Sequence, residues 1–403
     1  MSVAQEVKVG VHSVLFKNGS IITPMGIDHG DVKVENGIIQ QIYTDEPCAE
    51  AADITIDLQG EYLSPGFIDV HTHGGGGADF MDQSVESMYQ ACITHLKHGT
   101  TSILPTTLTS TRESLKEFLD YFNTIDLQKD GMPNILGLHL EGPYFAYSQK
   151  GAQDPKYLRN PEPDEYMEAL SSTDRIVRWS FAIELLGSQA FLQELKRHNI
   201  ISSLAHSDAT CREVMDAYEN GISALTHFYS CMTGVHRKNA YRVAGAIEAG
   251  YLIDDLFVEV IADGCHLPAE LLQLIYKIKG ADRICLVTDS MRAAGMPDGE
   301  YVLGSLDAGQ RCIVEEGVAK LPDRTAFAGS IATTDRLVRT MHSLTNAPLH
   351  EVVRMASLTP AKLLKIEDKK GSICVGKDAD LIVFNDKIEI QKVMVRGEFI
   401  EIE

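Results

Sequence analysis

The sequence predicts an α/β protein: a (β/α)8 TIM-like barrel with a small β-sandwich domain formed from both termini. First, short β-favourable apolar segments alternate with amphipathic segments through the middle of the chain, as in a closed parallel barrel. Second, short strands separated by turn signals occupy both ends of the chain. Third, polar residues suited to chemistry follow many of the middle strands, which is where barrel enzymes carry their active sites.

Eight barrel strands are predicted at 66–71, 102–106, 135–140, 178–183, 201–206, 224–227, 257–262 and 284–288. Helical segments are predicted between them at 84–97, 112–122, 189–197, 211–219 and 269–277. An inserted hairpin over 300–328 and closing helices over 333–366 complete this unit. A doubly wound open sheet would show the same alternation, but polar residues at so many strand ends favour the closed barrel.

The two ends of the chain share one sequence pattern, in which short β-favourable segments are separated by turn residues. Asn18-Gly19 and Asn36-Gly37 are good hairpin turns between short strands, and similar strands recur at 380–384, 388–395 and 398–400. We therefore expect the ends to meet. Residues 1–62 and 367–403 would form the small β-sandwich domain, and residues 63–366 would form the barrel.

Composition narrows the classes of function. The formal net charge of −21 argues against nucleic-acid and membrane partners, although an anionic small molecule needs only a local positive site. Eight dispersed cysteines without a Cys-x-x-Cys pair are typical of reduced thiols in a cytoplasmic protein. The N-terminus shows no apolar signal core, and no apolar run approaches ~18 residues, so we expect neither export nor a membrane span.

The strongest chemical signal is His71-Thr72-His73 at the end of the first predicted barrel strand. On an extended backbone, residues two apart point to the same side, so both imidazoles can reach one cation. The glycines from Gly74 to Gly77 then let the backbone turn sharply. An isolated His-x-His is usually a structural pair, but this context favours a metal such as zinc or iron.

Later strand ends carry four more candidates, namely Glu141, His206, His227 and Asp289. Each alone would more often be a rim carboxylate, a structural histidine or a helix-capping Asp. Together with His71 and His73 they form a set of nitrogen and oxygen ligands suited to a divalent catalytic metal. Asp289 is also the predicted catalytic residue, because a carboxylate beside an activated water can accept its proton and return it to a leaving group.

These motifs, in this order, resemble the amidohydrolase superfamily. Within it, the chain is similar to the N-acetylglucosamine-6-phosphate deacetylases over nearly its whole length. The supporting stretches begin at Ser64, His139, Ala262, Val287 and Ala328. The resemblance implies metal-dependent hydrolysis of the N-acetyl group of N-acetylglucosamine 6-phosphate, which yields glucosamine 6-phosphate and acetate.

The resemblance also implies residue roles. Glu141, His206 and His227 would bind the principal metal, and His71 and His73 would hold a second one. Each subunit would therefore bind one or two divalent ions, zinc first, with iron, cobalt or manganese as alternatives. Asp289 would act as general base and then as general acid. His266 and Arg237 would recognise the sugar phosphate, with Arg237 reaching across a homodimer interface into the neighbouring site.

Three segments depart from the family pattern, and all three lie in substrate-recognition regions. The usual His at position 153 is Gln153, which can donate a hydrogen bond but not a proton. The usual Asn-Ala after position 229 is Ser230-Cys231, and Lys238-Asn239-Ala240 replaces Glu-Pro-Gly beyond Arg237. We assign Gln153, Ser230 and Cys231 to substrate binding.

Two alternatives stay open. One is a deacetylase of a related N-acyl amino sugar, either N-acetylgalactosamine 6-phosphate or an unphosphorylated N-acetyl sugar. The other is a non-catalytic assembly or regulatory protein built on the same barrel. Such a protein would be expected to lose ligands, whereas this chain retains all six candidates.

Overall fold

The structure is a computed structural model that describes residues 12–401. Residues 1–11 and 402–403 of the predicted terminal domain lie outside the described residues. At the centre, eight parallel strands follow one another: Phe67–Thr72, Thr100–Pro105, Leu138–Glu141, Ile176–Phe181, Ile201–Leu204, Ile222–Leu225, Phe257–Val260 and Ile284–Leu286. They are called the first to eighth barrel strands below.

The strands close into a barrel. The third to eighth pair in order within one sheet, and the first and second pair in another sheet with the short strand Asn134–Ile135. A parallel bridge between Thr106 and His139 joins the second strand to the third. The Asp289 amide donates to the His71 carbonyl at 2.9 Å, which joins the eighth strand to the first. The predicted fold class is therefore confirmed.

Between residues 12 and 401, ten α-helices surround the strands, and five of them lie at the predicted helical segments: Val85–Leu96, Arg112–Phe122, Pro163–Ser172, Ser188–Arg197, Cys211–Asn220, Ala246–Leu252, Ala269–Lys279, Thr334–Leu344, Leu349–Met355 and Leu358–Leu364. Side-chain caps set several of the starts. Ser84 and Thr111 each accept an N–H bond from three residues further on, at 3.0 Å. Within residues 12–401, no helix combines the length and the apolar character needed to cross a membrane.

Both ends of the described chain enter one mixed sheet. Its strands are Ser13–Thr23, Gly26–Glu35, Ile38–Tyr43, Ile54–Asp57, Tyr62–Pro65, Leu381–Phe384, Ile390–Val395 and Glu398–Ile400. The strand Tyr62–Pro65 pairs antiparallel with Leu381–Phe384, so the two ends of the chain meet there. The exact boundaries between this sheet domain and the barrel stay a prediction.

Three short sheets decorate the barrel. Gly74–Gly75 pairs with Ala78–Asp79, and His236–Lys238 pairs with Tyr241–Val243. The predicted insertion is a three-stranded antiparallel sheet of Gly299–Leu303, Gln310–Glu315 and Val318–Lys320. Position 74 requires glycine for a steric reason, because a Cβ atom there would lie 2.3 Å from the Ala78 carbonyl oxygen.

Six barrel strands, the second and the fourth to eighth, end one or two residues earlier than predicted. The fifth, sixth and eighth end before His206, His227 and Asp289, whose φ angles are 46°, 31° and 46°. The prediction that extended strands reach His206 and His227 was wrong, because the backbone enters the left-handed region there. Such conformations are uncommon for residues other than glycine and concentrate at functional sites.

The barrel core contains a buried ion pair below the strand ends. Arg178 and Glu259 are both 0% exposed, and the guanidinium contacts the carboxylate. Arg178 also donates to Ser203 Oγ at 2.8 Å and to Thr226 Oγ1 at 3.0 Å. A charge buried this deeply is tolerated only when it is paired and hydrogen-bonded.

Replacing Arg178 should therefore destabilise the protein strongly. We expect Arg178→Met to lower the free energy of unfolding by about 3–5 kcal/mol, because it leaves the Glu259 charge buried and unpaired. Arg112→Met is the matched control. It removes the half-exposed ion pair with Glu168, and pairs this accessible to solvent contribute little to stability. Urea unfolding of both variants measures the difference, and equal midpoints would contradict the prediction.

Candidate metal centre

Six polar side chains converge at the carboxyl ends of the barrel strands. They are the residues predicted for the metal site, between 0% and 8% exposed: His71, His73, Glu141, His206, His227 and Asp289. They come from the ends of five strands, so only the closed barrel can bring them together. Their assignment as ligands stays a prediction, and their convergence is what the structure adds.

The first group of ligand atoms comes from His71, His73 and Glu141. The two histidine Nε2 atoms are 3.3 Å apart. Glu141 Oε2 lies 3.5 Å from His73 Nε2, and Glu141 Oε1 lies 3.6 Å from His71 Nε2. Asp289 Oδ1 approaches the same pair, at 3.1 Å from His73 Nε2 and 3.5 Å from His71 Nε2. His71, His73 and Glu141 could together hold one divalent ion.

The second group consists of Glu141, His206 and His227. The Nε2 atoms of the two histidines are 3.2 Å apart, and Glu141 Oε1 lies 3.1 Å from His227 Nε2. In each group, the ligand atoms all lie within 4.8 Å of one another. Glu141 belongs to both groups, so its two oxygens can serve two adjacent cations.

The imidazoles are oriented by their other nitrogen atoms. His71 Nδ1 lies 3.0 Å from Glu259 Oε2, His73 Nδ1 lies 3.2 Å from the Thr106 carbonyl oxygen, and His206 Nδ1 lies 2.7 Å from the Gln149 carbonyl oxygen. Carbonyl and ionised carboxylate oxygens only accept hydrogen bonds, so these Nδ1 atoms carry the protons. The Nε2 atoms face one another, and these would be the nitrogens that bind a cation.

The carboxylates of the site are ionised. Burial by itself would raise the pKa of Glu141, but His71, His206 and His227 outweigh it and hold this pKa well below its usual range. Burial likewise opposes ionisation of Asp289, yet His71 and His73 lower the pKa of that carboxyl. Both side chains therefore offer negative oxygens to a cation or a proton.

A cavity of about 220 Å³ opens onto the candidate metal centre. Four of the predicted substrate-binding residues line it, namely Gln153, Ser230, Cys231 and His266. The fifth, Arg237, does not line it and is exposed on the hairpin formed by His236–Lys238 and Tyr241–Val243. The structure thus brings Gln153 and His266 to the site of the same chain and leaves Arg237 at the surface.

Both ends of the Gln153 side-chain amide form hydrogen bonds within the protein. Its Nε2 donates to Glu141 Oε2 at 2.9 Å. Its Oε1 accepts from the Thr109 amide at 3.0 Å and from Thr109 Oγ1 at 2.9 Å. Gln153 therefore holds the shared carboxylate in place from the cavity side, an arrangement that the spacing of the motif does not reveal.

His266 is held by a neighbouring carboxylate. Its Nδ1 lies 2.8 Å from Asp263 Oδ2, and its ring centroid lies 4.7 Å from that of Phe327. Phe327 lines the same cavity. The Asp263 contact leaves the Nε2 of His266 as the ring nitrogen for a ligand.

Sequence reasoning missed several residues that support the centre. Glu259, Thr106 and Gln149 orient metal-facing histidines, and Leu108, Leu303 and Phe327 line the cavity. For Glu259 a signal existed, because an acidic residue inside the apolar strand Phe257–Val260 needs a buried partner. The carbonyl contacts of Thr106 and Gln149 carry no side-chain signal.

Residues 62–400 match the Amidohydrolase family, to which this chain therefore belongs. The N-acetylglucosamine-6-phosphate deacetylase of Lysinibacillus sphaericus is 34% identical over 395 residues, which cover 96% of this chain and 97% of that protein. The N-acetylgalactosamine-6-phosphate deacetylase of Escherichia coli O157:H7 is 32% identical over 375 residues, covering 92% and 95%. The crystal structure of N-acetylglucosamine-6-phosphate deacetylase from Pasteurella multocida superimposes with a TM-score of 0.87 at 31% identity, covering 96% and 99%.

The shared carboxylate should dominate metal retention. We expect Glu141→Gln to weaken metal binding at least tenfold, because both ligand groups lose their negative oxygen. His73→Asn should weaken only the first group. Inductively coupled plasma mass spectrometry after dialysis against a chelator measures the retained metal. Glu300→Gln, at an exposed carboxylate, is the control, and full metal retention in Glu141→Gln would contradict the assignment.

Proposed function

We propose that this protein is a divalent-metal-dependent deacetylase. It hydrolyses the N-acetyl group of N-acetylglucosamine 6-phosphate and releases glucosamine 6-phosphate and acetate. The observation that carries the proposal is the buried centre of four histidines and two carboxylates, all of which except His71 line one cavity. The names of the relatives that match almost the whole chain support the choice of substrate.

The donor set fits a catalytic divalent metal. Glu141, His206 and His227 would hold the principal ion, and His71 and His73 would share Glu141 to hold a second. Nitrogen and oxygen donors suit zinc, and they also accept iron, cobalt or manganese. A divalent ion in such a site supplies Lewis-acid activation of water and polarisation of the amide carbonyl.

Asp289 moves the proton in this proposal. Its carboxylate is ionised and lies beside the first ligand group, so it can accept a proton from the attacking water. An amide nitrogen leaves poorly as an anion, so Asp289 then returns the proton to that nitrogen as the carbon–nitrogen bond breaks. One water is consumed, and the products are acetate and the free amine. Meanwhile Gln153 keeps Glu141 in place through its hydrogen bond.

The chain's own cavity offers little positive charge for a phosphate. The described residues that line the cavity include His266 but neither Arg nor Lys. Arg237 carries the planar guanidinium suited to a phosphate and is exposed on its hairpin. We therefore propose a homodimer in which Arg237 serves the site of the second copy.

A second substrate deserves a direct comparison. One relative that covers most of this chain is named an N-acetylgalactosamine-6-phosphate deacetylase. Gln153, Ser230 and Cys231, which depart from the family pattern, line the cavity where a sugar would bind.

For location we propose the cytoplasm, because all eight cysteines are free thiols, as is typical of a reducing compartment.

Removing the acid–base group should abolish turnover without unfolding the protein. We expect Asp289→Asn to lower kcat by about 10²–10⁴-fold, because an amide can neither accept nor return the proton. Acetate release from N-acetylglucosamine 6-phosphate measures turnover, while circular dichroism and metal content report on fold and site. Near-normal kcat with intact metal would remove Asp289 from the acid–base role.

Arg237 should matter only for phosphorylated sugars. We expect Arg237→Ala to lower kcat/KM for N-acetylglucosamine 6-phosphate by about 10–100-fold, the effect of one lost charge-assisted contact. Activity on unphosphorylated N-acetylglucosamine should stay the same. Arg242→Ala, directly opposite on the hairpin, is the matched control. The same assay with N-acetylgalactosamine 6-phosphate decides the epimer, and equal losses on all sugars would contradict a phosphate role.

A further inference from the structure

We propose that Glu259 is a positioning residue that presents the His71 imidazole to the metal. The proposal rests on the metal site put forward above. Glu259 lies in the seventh barrel strand, Phe257–Val260, and its side chain is fully buried. It touches neither the cavity nor the proposed substrate, so it acts only through the residues that it contacts.

The two oxygens of Glu259 have different partners. Oε2 lies 3.0 Å from His71 Nδ1 and also accepts the backbone N–H of His227 at 3.1 Å. Oε1 faces the guanidinium of Arg178. One carboxylate therefore connects the charged core of the barrel to one histidine of each ligand group.

The contact with His71 decides where its proton lies. An ionised carboxylate only accepts hydrogen bonds, so the proton of the neutral imidazole is on Nδ1. The unprotonated Nε2 then faces His73 Nε2 at 3.3 Å and Asp289 Oδ1 at 3.5 Å. The tautomer protonated on Nε2 would place a hydrogen atom where the cation is expected. Metal binding by His71 therefore requires the tautomer protonated on Nδ1.

A carboxylate is required here, and an amide of the same shape would fail. Arg178 and His71 both donate towards residue 259, which needs an acceptor on each side. A glutamine side chain has only one oxygen. The buried guanidinium would bind that oxygen in preference to His71, because its hydrogen bonds are charge-assisted. The amide NH₂ would then face His71 Nδ1 and force the proton onto Nε2.

A purely structural ion pair between Arg178 and Glu259 is the competing explanation. In that case, replacing Glu259 would lower stability and leave the His71 tautomer unchanged. The positioning role predicts a change in tautomer and in metal affinity at the His71 and His73 group. It further predicts that removing Arg178 relieves the competition for the single amide oxygen.

The experiment titrates Zn²⁺ into metal-free protein labelled with ¹⁵N-histidine. In the wild type, at a pH where His71 is neutral, we expect nitrogen shifts that show its proton on Nδ1. In Glu259→Gln we expect the proton on Nε2 and a 10–100-fold loss of affinity at the His71 and His73 group. Affinity at the group of His206 and His227 should fall less, because Glu259 contacts only the backbone N–H of His227 and not its imidazole. No substrate is present, so the result is independent of the proposed reaction.

Two further variants separate positioning from stability. The double variant Arg178→Met, Glu259→Gln should restore the Nδ1 proton and most of the lost affinity, because the amide oxygen can then turn to His71. Glu165→Gln removes another buried carboxylate, which pairs with Arg159, and should leave both readouts unchanged. A wild-type His71 protonated on Nε2 overturns the proposal even if no variant folds. Unchanged tautomer and affinity in a folded Glu259→Gln variant overturn it as well.

Discussion

The site depends on one constraint, the sharing of the Glu141 carboxylate between two groups of buried imidazoles. The Nε2 atoms of His71 and His73 approach within 3.3 Å, and those of His206 and His227 within 3.2 Å. A cation bound between the nitrogens of each pair would stabilise these close approaches. The ionised Glu141 lies against both pairs, so the arrangement favours divalent cations over any neutral occupant.

The polar layer beneath the site explains how such a centre is held. Arg178 and Glu259 place an ion pair inside the barrel, where most proteins have only apolar side chains. Ser203 and Thr226 accept hydrogen bonds from the guanidinium, while Glu259 contacts His71. Hydrogen bonds beneath the candidate ligands therefore limit how far an imidazole can rotate when no ion is bound.

The departures that the sequence resemblance identified lie on the cavity side of the site. Gln153 hydrogen-bonds Glu141 and Thr109, so both ends of its amide are occupied within the protein. Ser230 and Cys231 line the cavity, and Phe327 packs against His266. The likeness to named deacetylases therefore bears on the chemistry of the metal side more directly than on the sugar epimer.

The sequence by itself determined the barrel and the six residues of the proposed metal site. Strand and helix periodicities are local, and each candidate follows its own predicted strand, as His71 and His73 show. Only the tertiary structure decided that Glu141 is shared, that Gln153 supports it, and that Glu259 contacts His71 across 188 residues of sequence. Such pairings depend on barrel closure and on left-handed backbone at His206, His227 and Asp289, which no local pattern encodes.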